Sequence, residues 1–408
     1  MRVLAAAEVV RVAISALLSV YLARRLGASA FGVWTFALAI SGYPLALVEA
    51  GLTWIGTRDV ATDPAAARAL VRRVVGIRLV LATVGFAAIN IIAAGLPPDG
   101  SLRLVMLLAA LSLLTTSITL DWVFYGLERR GVVAVANVTK VVIFASAALL
   151  LVHRSDQVWE VPLLQAAGEL AAAGILWYAF LRWTPPGRSA APGTTIGELL
   201  RQAAPLTLAQ SMRALTIWSA VTIIGLYSSA AAVGHFGAAQ RVALLAGGLT
   251  TLYFYAYVPL AARASQQGAA AVGALVRHSL PRSAAAAVLF AALVSAFAFP
   301  LVLRVFGPAY APAVPVLRIL VWTIPLSVVA GHLRHTLIAA HLTSHDLAAV
   351  AAGAAATVVL NLALVPQLGL IGGAIAMVAG EAALTAAATV LVIRAVAPIW
   401  RRGAASAS

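Results

Sequence analysis

Long apolar runs follow one another along nearly the whole chain, interrupted only by short clusters of Arg, Asp, Pro or Gly. They fall at 3–23, 30–54, 74–95, 102–126, 132–151, 160–181, 203–227, 231–260, 283–303, 313–340, 347–366 and 370–396. A bilayer's hydrocarbon core is about 30 Å thick, and a helix crosses it with about 20 mostly apolar residues. The pattern therefore predicts an all-α, polytopic membrane protein of about twelve transmembrane helices. The long 313–340 run also admits a division into two pieces.

One interruption differs from the rest. The stretch RWTPPGRSAAPGTTIGELLRQ, 182–202, combines Pro, Gly and Ser with basic residues midway along the chain. It predicts an N-terminal six-helix lobe at 1–182, a cytoplasmic linker at 183–202 and a C-terminal six-helix lobe at 203–408. Faint internal similarity supports a duplicated unit: ASAFG (28–32) pairs with AAAVG (230–234), and Gly168-Glu169 pairs with Gly380-Glu381. Two such lobes would enclose a central cavity, a common transporter plan.

Composition sharpens the class. Of 408 residues 62% are hydrophobic and 10% charged, with mean hydropathy +0.99, against about 45–50% apolar and 25% charged in soluble domains. The loops leave no room for a soluble catalytic domain, and no Gly-rich phosphate loop, GxSxG elbow or HExxH occurs. Without cysteine the chain has no disulfide, thiolate metal site or cysteine nucleophile. Glu8 and Arg11 interrupt any signal-peptide core, so the N-terminus is expected to be a span, not a cleaved leader.

Basic residues outnumber acidic ones 28 to 13. Most flank apolar runs, where they act as topology signals and headgroup contacts, so nucleic acid is not an expected partner. With the N-terminus cytoplasmic, only Arg24, Arg25, Arg103, Arg154 and Arg304 fall on outer loops. The bias predicts an inner-membrane protein with both termini cytoplasmic. The segment DPAAARALVRR, 63–73, reads as a short interfacial helix on the anionic inner leaflet.

Several segments resemble a known family. YLARRLGASAFGVWTFALA (21–39) carries the LGxxxFG pattern of the first outer turn of bacterial polysaccharide-export flippases. DWVFYGLERRGVVAVANVTKVV (121–142) is similar to their fourth-to-fifth span junction, and QAAPLTLAQ (202–210) to the opening of their seventh span. VVLNLALVPQLGLIGGAIAMVAGE (358–381) resembles their last two spans. The order holds along essentially the whole chain. The family belongs to the superfamily of multidrug, oligosaccharidyl-lipid and polysaccharide exporters. The resemblance implies a V-shaped pair of six-helix bundles, not an enzyme, that flips a polyprenyl-diphosphate-linked oligosaccharide. It further implies membrane lipids and the polysaccharide polymerase machinery as partners, and a proton or sodium gradient in place of any cofactor. Two departures stand out. The first span starts almost at Met1, where relatives usually carry a longer basic tail, and 202–227 lacks the acidic residue often found in their seventh span.

Such a cargo carries an anionic diphosphate and polar sugars through hydrocarbon, which calls for a hydrated, cationic path. Charges inside spans are costly and mark function by default. The candidates for binding the cargo are Arg241, Lys140, Arg213, Arg318 and Arg11. Arg241, in FGAAQRVALL, leads: it lies two to three turns inside its span, and guanidinium grips phosphate oxygens bidentately. A related lipid-flipping branch carries a functional arginine in its eighth span. Its structural alternative is pairing with a carboxylate or helix carbonyls; for Lys140 it is pairing with Asp121. Arg78, a turn inside the cytoplasmic edge, is expected to snorkel.

Glu49, Asp121 and Glu8 are the candidates for ion coupling, since a carboxylate in a span can exchange a proton as the cavity changes sides. Glu8 and Arg11 stand three apart and can instead pair on one helix face. Glu169 and Glu381 are expected to serve helix–helix hydrogen bonding. In HLRHTLIAAHLTSHD (332–346), His341 and His345 have the spacing of a metal pair, but a headgroup-facing cluster is the expected reading, with no metal. Trp34, Trp54, Trp122, Trp159, Trp183 and Trp400 fit an interfacial belt. The alternatives are a multidrug or other lipid exporter and, from another class, a membrane-embedded glycosyltransferase or polymerase, against which the short outer loops argue.

Overall fold

A computed structural model describes residues 2–96, 101–184, 195–340 and 342–395. Among the described residues the structure is helical throughout, with no strand. The chain divides into two compact units, Met1–Ala214 and Leu215–Ser408.

The first unit holds α1 (Arg2–Thr62), α2 (Ala67–Ala94), α3 (Ser101–Ala109), α4 (Leu111–Ser117), α5 (Asp121–Gly126), α6 (Arg130–Leu151) and α7 (Glu160–Trp183), with the first part of α8 (Ile196–Tyr227). The second holds the rest of α8, then α9 (Ala230–Gln266), α10 (Ala269–Ala296), α11 (Ala298–Phe306), α12 (Ala313–Leu320), α13 (Thr323–Ala339) and α14 (Thr343–Ala395). Nine described helical segments are long and apolar enough to cross a membrane. Two of them, Ala7–Thr62 and Thr343–Ala395, have 56 and 53 residues, more than twice the ~20 that one crossing needs. Each breaks at a glycine with positive φ: Gly27 (φ 74°) and Gly369 (φ 56°). A side chain would be strained at either place, so both helices divide where the apolar runs divide.

Several boundaries differ from the sequence reading. Residues 67–73 are no separate interfacial helix but the first two turns of α2, with Ala67, Ala69, Leu70 and Val71 buried. The Asp63 carboxylate accepts from the Ala65 amide at 3.1 Å and starts the turn that leads into it. The segment 269–282, outside the expected spans, belongs to α10, as its Ala-rich composition favours. The 313–340 run divides at Val321–Trp322 into α12 and α13. Thr195 and Glu198 form a reciprocal cap (3.2 and 2.8 Å) that starts α8 inside the expected linker; residues 185–194 of that linker lie outside the described residues.

The first unit packs around Val71, Val74 and Val75 of α2, Leu120, Trp122 and Phe124 near α5, Val133 of α6, and Leu176 and Phe180 of α7. A Cβ on Gly168 would sit 2.5 Å from the Lys140 carbonyl oxygen, so only glycine lets α6 and α7 lie this close. In the second unit, α14 crosses itself where Gly353 meets Gly380 and Leu384. Large apolar side chains such as Leu17, Ile91, Leu150, Tyr178 and Leu226 face outward. A protein solvated by lipid has no reason to hide them.

The tryptophans divide. Trp54, Trp159 and Trp183 are exposed, but Trp34 and Trp122 are buried, Trp122 at 1% exposure with its ring against Gly56. These two are core residues and no part of a belt; Trp400 lies outside the described residues.

Candidate functional site

Charged groups in the first unit converge from five helices. Glu49 of α1 lies within electrostatic reach of Arg78 (α2), Asp121 (α5), Lys140 (α6) and Glu169 (α7). Glu49 lies at the surface of its unit, whereas Glu169 is 3% exposed and lies at the centre of the best-bonded part. Its carboxylate takes the Lys140 ammonium at 3.3 Å, the Gln165 amide at 3.2 Å and the Thr115 hydroxyl. The Gly168 contact explains the ion pair, because it brings the backbone of Lys140 against α7 one residue before Glu169. The partner of Lys140 is thus Glu169, not Asp121, which has electrostatic contact only.

Asp121 opens α5 after a break in the fourth span. Its Oδ1 is buried with no hydrogen-bond partner, and Lys140 and Arg78 lie within electrostatic reach. Arg78 does not snorkel. It is 1% exposed and sits on the buried stripe Val71, Val74, Val75, Arg78, Ala82, Gly85, Ile89 of α2. Arg78 lies about 16 Å along α2 from Ala67 at 1.5 Å per residue, on the face that packs inside the unit. It donates instead to the carbonyls of Thr116 (2.8 Å) and Thr119 (3.2 Å).

Glu8 and Arg11 pair with each other through two contacts, 2.9 and 2.5 Å, both half-exposed. Arg11 also has Tyr125 within electrostatic reach. Arg213 is an exposed residue of α8, and Arg318 an exposed residue in the last turn of α12. Arg241 is half-buried on α9 with Tyr310 as an electrostatic neighbour. Tyr310 is buried, tilted against Phe306 and edge-on to His235, whose ring nitrogen meets the Ala309 carbonyl oxygen at 3.0 Å. The second unit holds an ion pair between Arg334 and Asp346, at 2.7 and 3.1 Å, and several contacts through neutral donors. The Ser327 hydroxyl donates to Glu381 at 2.7 Å, Asn361 reaches Ser219 at 3.2 Å, and Tyr253 meets the His332 ring at 2.9 Å.

His332 and His335 are no headgroup-facing residues: both ring Nδ1 atoms meet carbonyls four residues back, and Tyr253, Phe254 and Tyr257 surround them. His341 lies outside the described residues, and among the described residues no cluster has the make-up of a metal site.

Sequence reasoning sent Arg78 to the headgroups; Glu169 makes the helix–helix hydrogen bonding expected of it, to Thr115 of α4, and adds an ion pair with Lys140 that was not expected. The signal for Arg78 was its register on a stripe of small residues; for Glu169 it was the glycine immediately before it.

A helical, multi-pass membrane protein with charged groups gathered among its spans is built as a membrane transporter. The family profile described as "Polysaccharide biosynthesis protein" matches residues 2–265, and the chain belongs to that family. Its fold is that of solved transporters. An inward-facing multidrug resistance MATE family transporter of the MOP superfamily aligns at TM-score 0.78 with 13% identity, over 96% of each chain. The lipid II flippase MurJ, in an inward closed conformation, aligns at 0.72 with 13% identity, over 96% of this chain and 88% of that one. A MOP superfamily transporter from Pyrococcus furiosus aligns at 0.62 with 13% identity, over 95% and 92%. At such identities the likeness establishes the fold. No curated protein sequence matches the chain.

Proposed function

We propose that this transporter moves a polyprenyl-diphosphate-linked oligosaccharide from the inner to the outer leaflet of a bacterial inner membrane. It does so by ion-coupled alternating access, for the biosynthesis of a surface polysaccharide such as lipopolysaccharide. Both termini face the cytoplasm, and the cargo passes on to polysaccharide polymerase machinery without a covalent step here. The observation that carries this reading is the gathering of Glu49, Arg78, Asp121, Lys140 and Glu169 inside one helical unit of a chain from a polysaccharide biosynthesis family. The lipid II flippase among its structural neighbours moves a cargo of the same chemical kind.

In that cluster three carboxylates face two cations. An unbalanced negative charge among apolar helices is costly, and uptake of a proton or sodium ion at Glu49 or Asp121 removes it; Glu8 is the third candidate. Arg241 is the leading anchor for the diphosphate, and Lys140, Arg213, Arg318 and Arg11 are the further candidates for binding the cargo.

The test is a bacterial strain lacking its own surface-glycan flippase. Expression of this chain should restore glycan at the cell surface. No restoration despite good membrane levels, together with rescue of drug efflux, would make it a multidrug exporter. Arg241→Ala should abolish restoration with unchanged membrane levels; full activity in that variant removes Arg241 from the site.

A further inference from the structure

We propose that Arg78 is the positioning residue of the charged cluster: it holds open the break in the fourth span that presents Asp121. Its consequence for transport rests on the reading above; its geometry does not. Asp121 can begin a helix only because α4 ends at Ser117 and residues 118–120 leave helical form. Inside hydrocarbon, such a break frees carbonyls that no water can meet. The Arg78 guanidinium takes the carbonyl of Thr119 and joins the Thr119 amide and hydroxyl on that of Thr116, and the Trp177 indole N–H takes that of Ile118 at 2.9 Å. At the Thr119 and Ile118 carbonyls, side chains from α2 and α7 thus replace the helix's own donors.

A neutral donor could cap carbonyls equally well. What a guanidinium adds is charge, and the carboxylates within its reach are Glu49 and Asp121. Asp121 Oδ1 and Arg78 Nε are both buried without hydrogen-bond partners, so the two groups act on each other through the field and not through a direct bond. Arg78 therefore does two jobs with one side chain. Its planar fork reaches two carbonyls at fixed spacing, and its charge offsets the carboxylates that the break exposes. Lysine can do only the second.

Four variants of the full-length protein test this: Arg78→Met, Arg78→Lys, Asp121→Asn, and Arg78→Met with Asp121→Asn. Each is purified in detergent for its melting midpoint and assayed for surface glycan in the flippase-deficient strain. Arg78→Met should lower the midpoint by about 5 °C or more, and adding Asp121→Asn should recover at least half of that shift. Surface glycan should fall roughly tenfold in Arg78→Met, as when a positioning group is displaced, and less in Arg78→Lys. Additive midpoint shifts, or wild-type glycan in Arg78→Met, overturn the proposal. Should Arg78→Met not reach the membrane, Arg78→Gln and Trp177→Phe decide, each with and without Asp121→Asn. Arg78→Gln removes the charge and keeps a donor, whereas Trp177→Phe removes a cap but no charge, so only Arg78→Gln should couple to Asp121→Asn; equal coupling overturns the proposal. If the wild-type chain restores no glycan, the transport reading falls, while the midpoint coupling still judges Arg78.

Discussion

The two units handle intramembrane polarity in different ways. In the first, groups of opposite formal charge come together from α1, α2, α5, α6 and α7 around Glu169 and Asp121. In the second, Glu381 takes a serine hydroxyl, the contacts of Asn361 with Ser219, Gln240 with the Ile217 carbonyl and Tyr253 with His332 are neutral, and the ion pair of Arg334 with Asp346 is a separate, part-exposed pair between α13 and the first turn of α14. A neutral hydrogen bond between membrane helices contributes about 0.6–2 kcal/mol. Removing one member of a buried ion pair costs about 3–5 kcal/mol, because the other charge is left stranded. The five-helix cluster of the first unit is therefore more sensitive to its state of charge than the neutral contacts of the second.

The largest effect expected from this contrast is at Lys140. Lys140→Met leaves Glu169, 3% exposed, with neutral donors alone. Lys140 is 38% exposed at its side chain, so solvent already screens part of the pair, and about 2–3 kcal/mol is the expected loss. Adding Glu169→Gln should return stability to within about 1 kcal/mol of wild type, since the amide keeps the contacts to Thr115 and Gln165. Melting midpoints in detergent check both. In the second unit, Ser327→Ala should cost no more than about 1 kcal/mol. Equal losses in the two units would remove the contrast.

Close to this in size is Gly168→Ala. The added methyl would meet the Lys140 carbonyl at 2.5 Å, so α6 and α7 have to separate, at a cost of about 1–3 kcal/mol. Separation also lengthens the ion pair, so the variant should lose surface glycan as well as stability. Gly76→Ala is the control: on α2 nothing lies within 4 Å of the added Cβ, and helix propensity favours alanine there by about 1 kcal/mol. A neutral Gly168→Ala would mean that the close crossing does not set the pair.

The hydrophobic pattern revealed the helices and the two glycine breaks, because each membrane crossing needs a long apolar run and each reversal needs residues that leave helical form. It did not reveal the break in the fourth span. Hydropathy reads Leu111–Trp122 as one run, although Thr115, Ser117 and Thr119 hydroxyls bond backward to carbonyls and loosen the helix there. Arg78 was hidden for a related reason. Charge rules assign an arginine near a span's edge to the headgroups, and only the true start of α2 at Ala67 places it in the core. The Lys140–Glu169 pair was out of reach because it joins two helices whose rotation the sequence does not specify.

The smallest effect is expected at Glu8 and Arg11, where the sequence left pairing and ion coupling open. Their contact is short, 2.9 Å from Arg11 Nε, yet the side chains are 54% and 37% exposed. Exposed pairs three apart on a helix contribute about 0.2–0.5 kcal/mol, so Glu8→Gln should move the melting midpoint by no more than about 1–2 °C. Transport separates the roles. A pair that only steadies the first turns of α1 leaves surface glycan unchanged in Glu8→Gln, while a coupling carboxylate removes the glycan with the midpoint intact. The pairing favours the first outcome, because a proton taken up at Glu8 relieves no stranded charge: Arg11 already balances it.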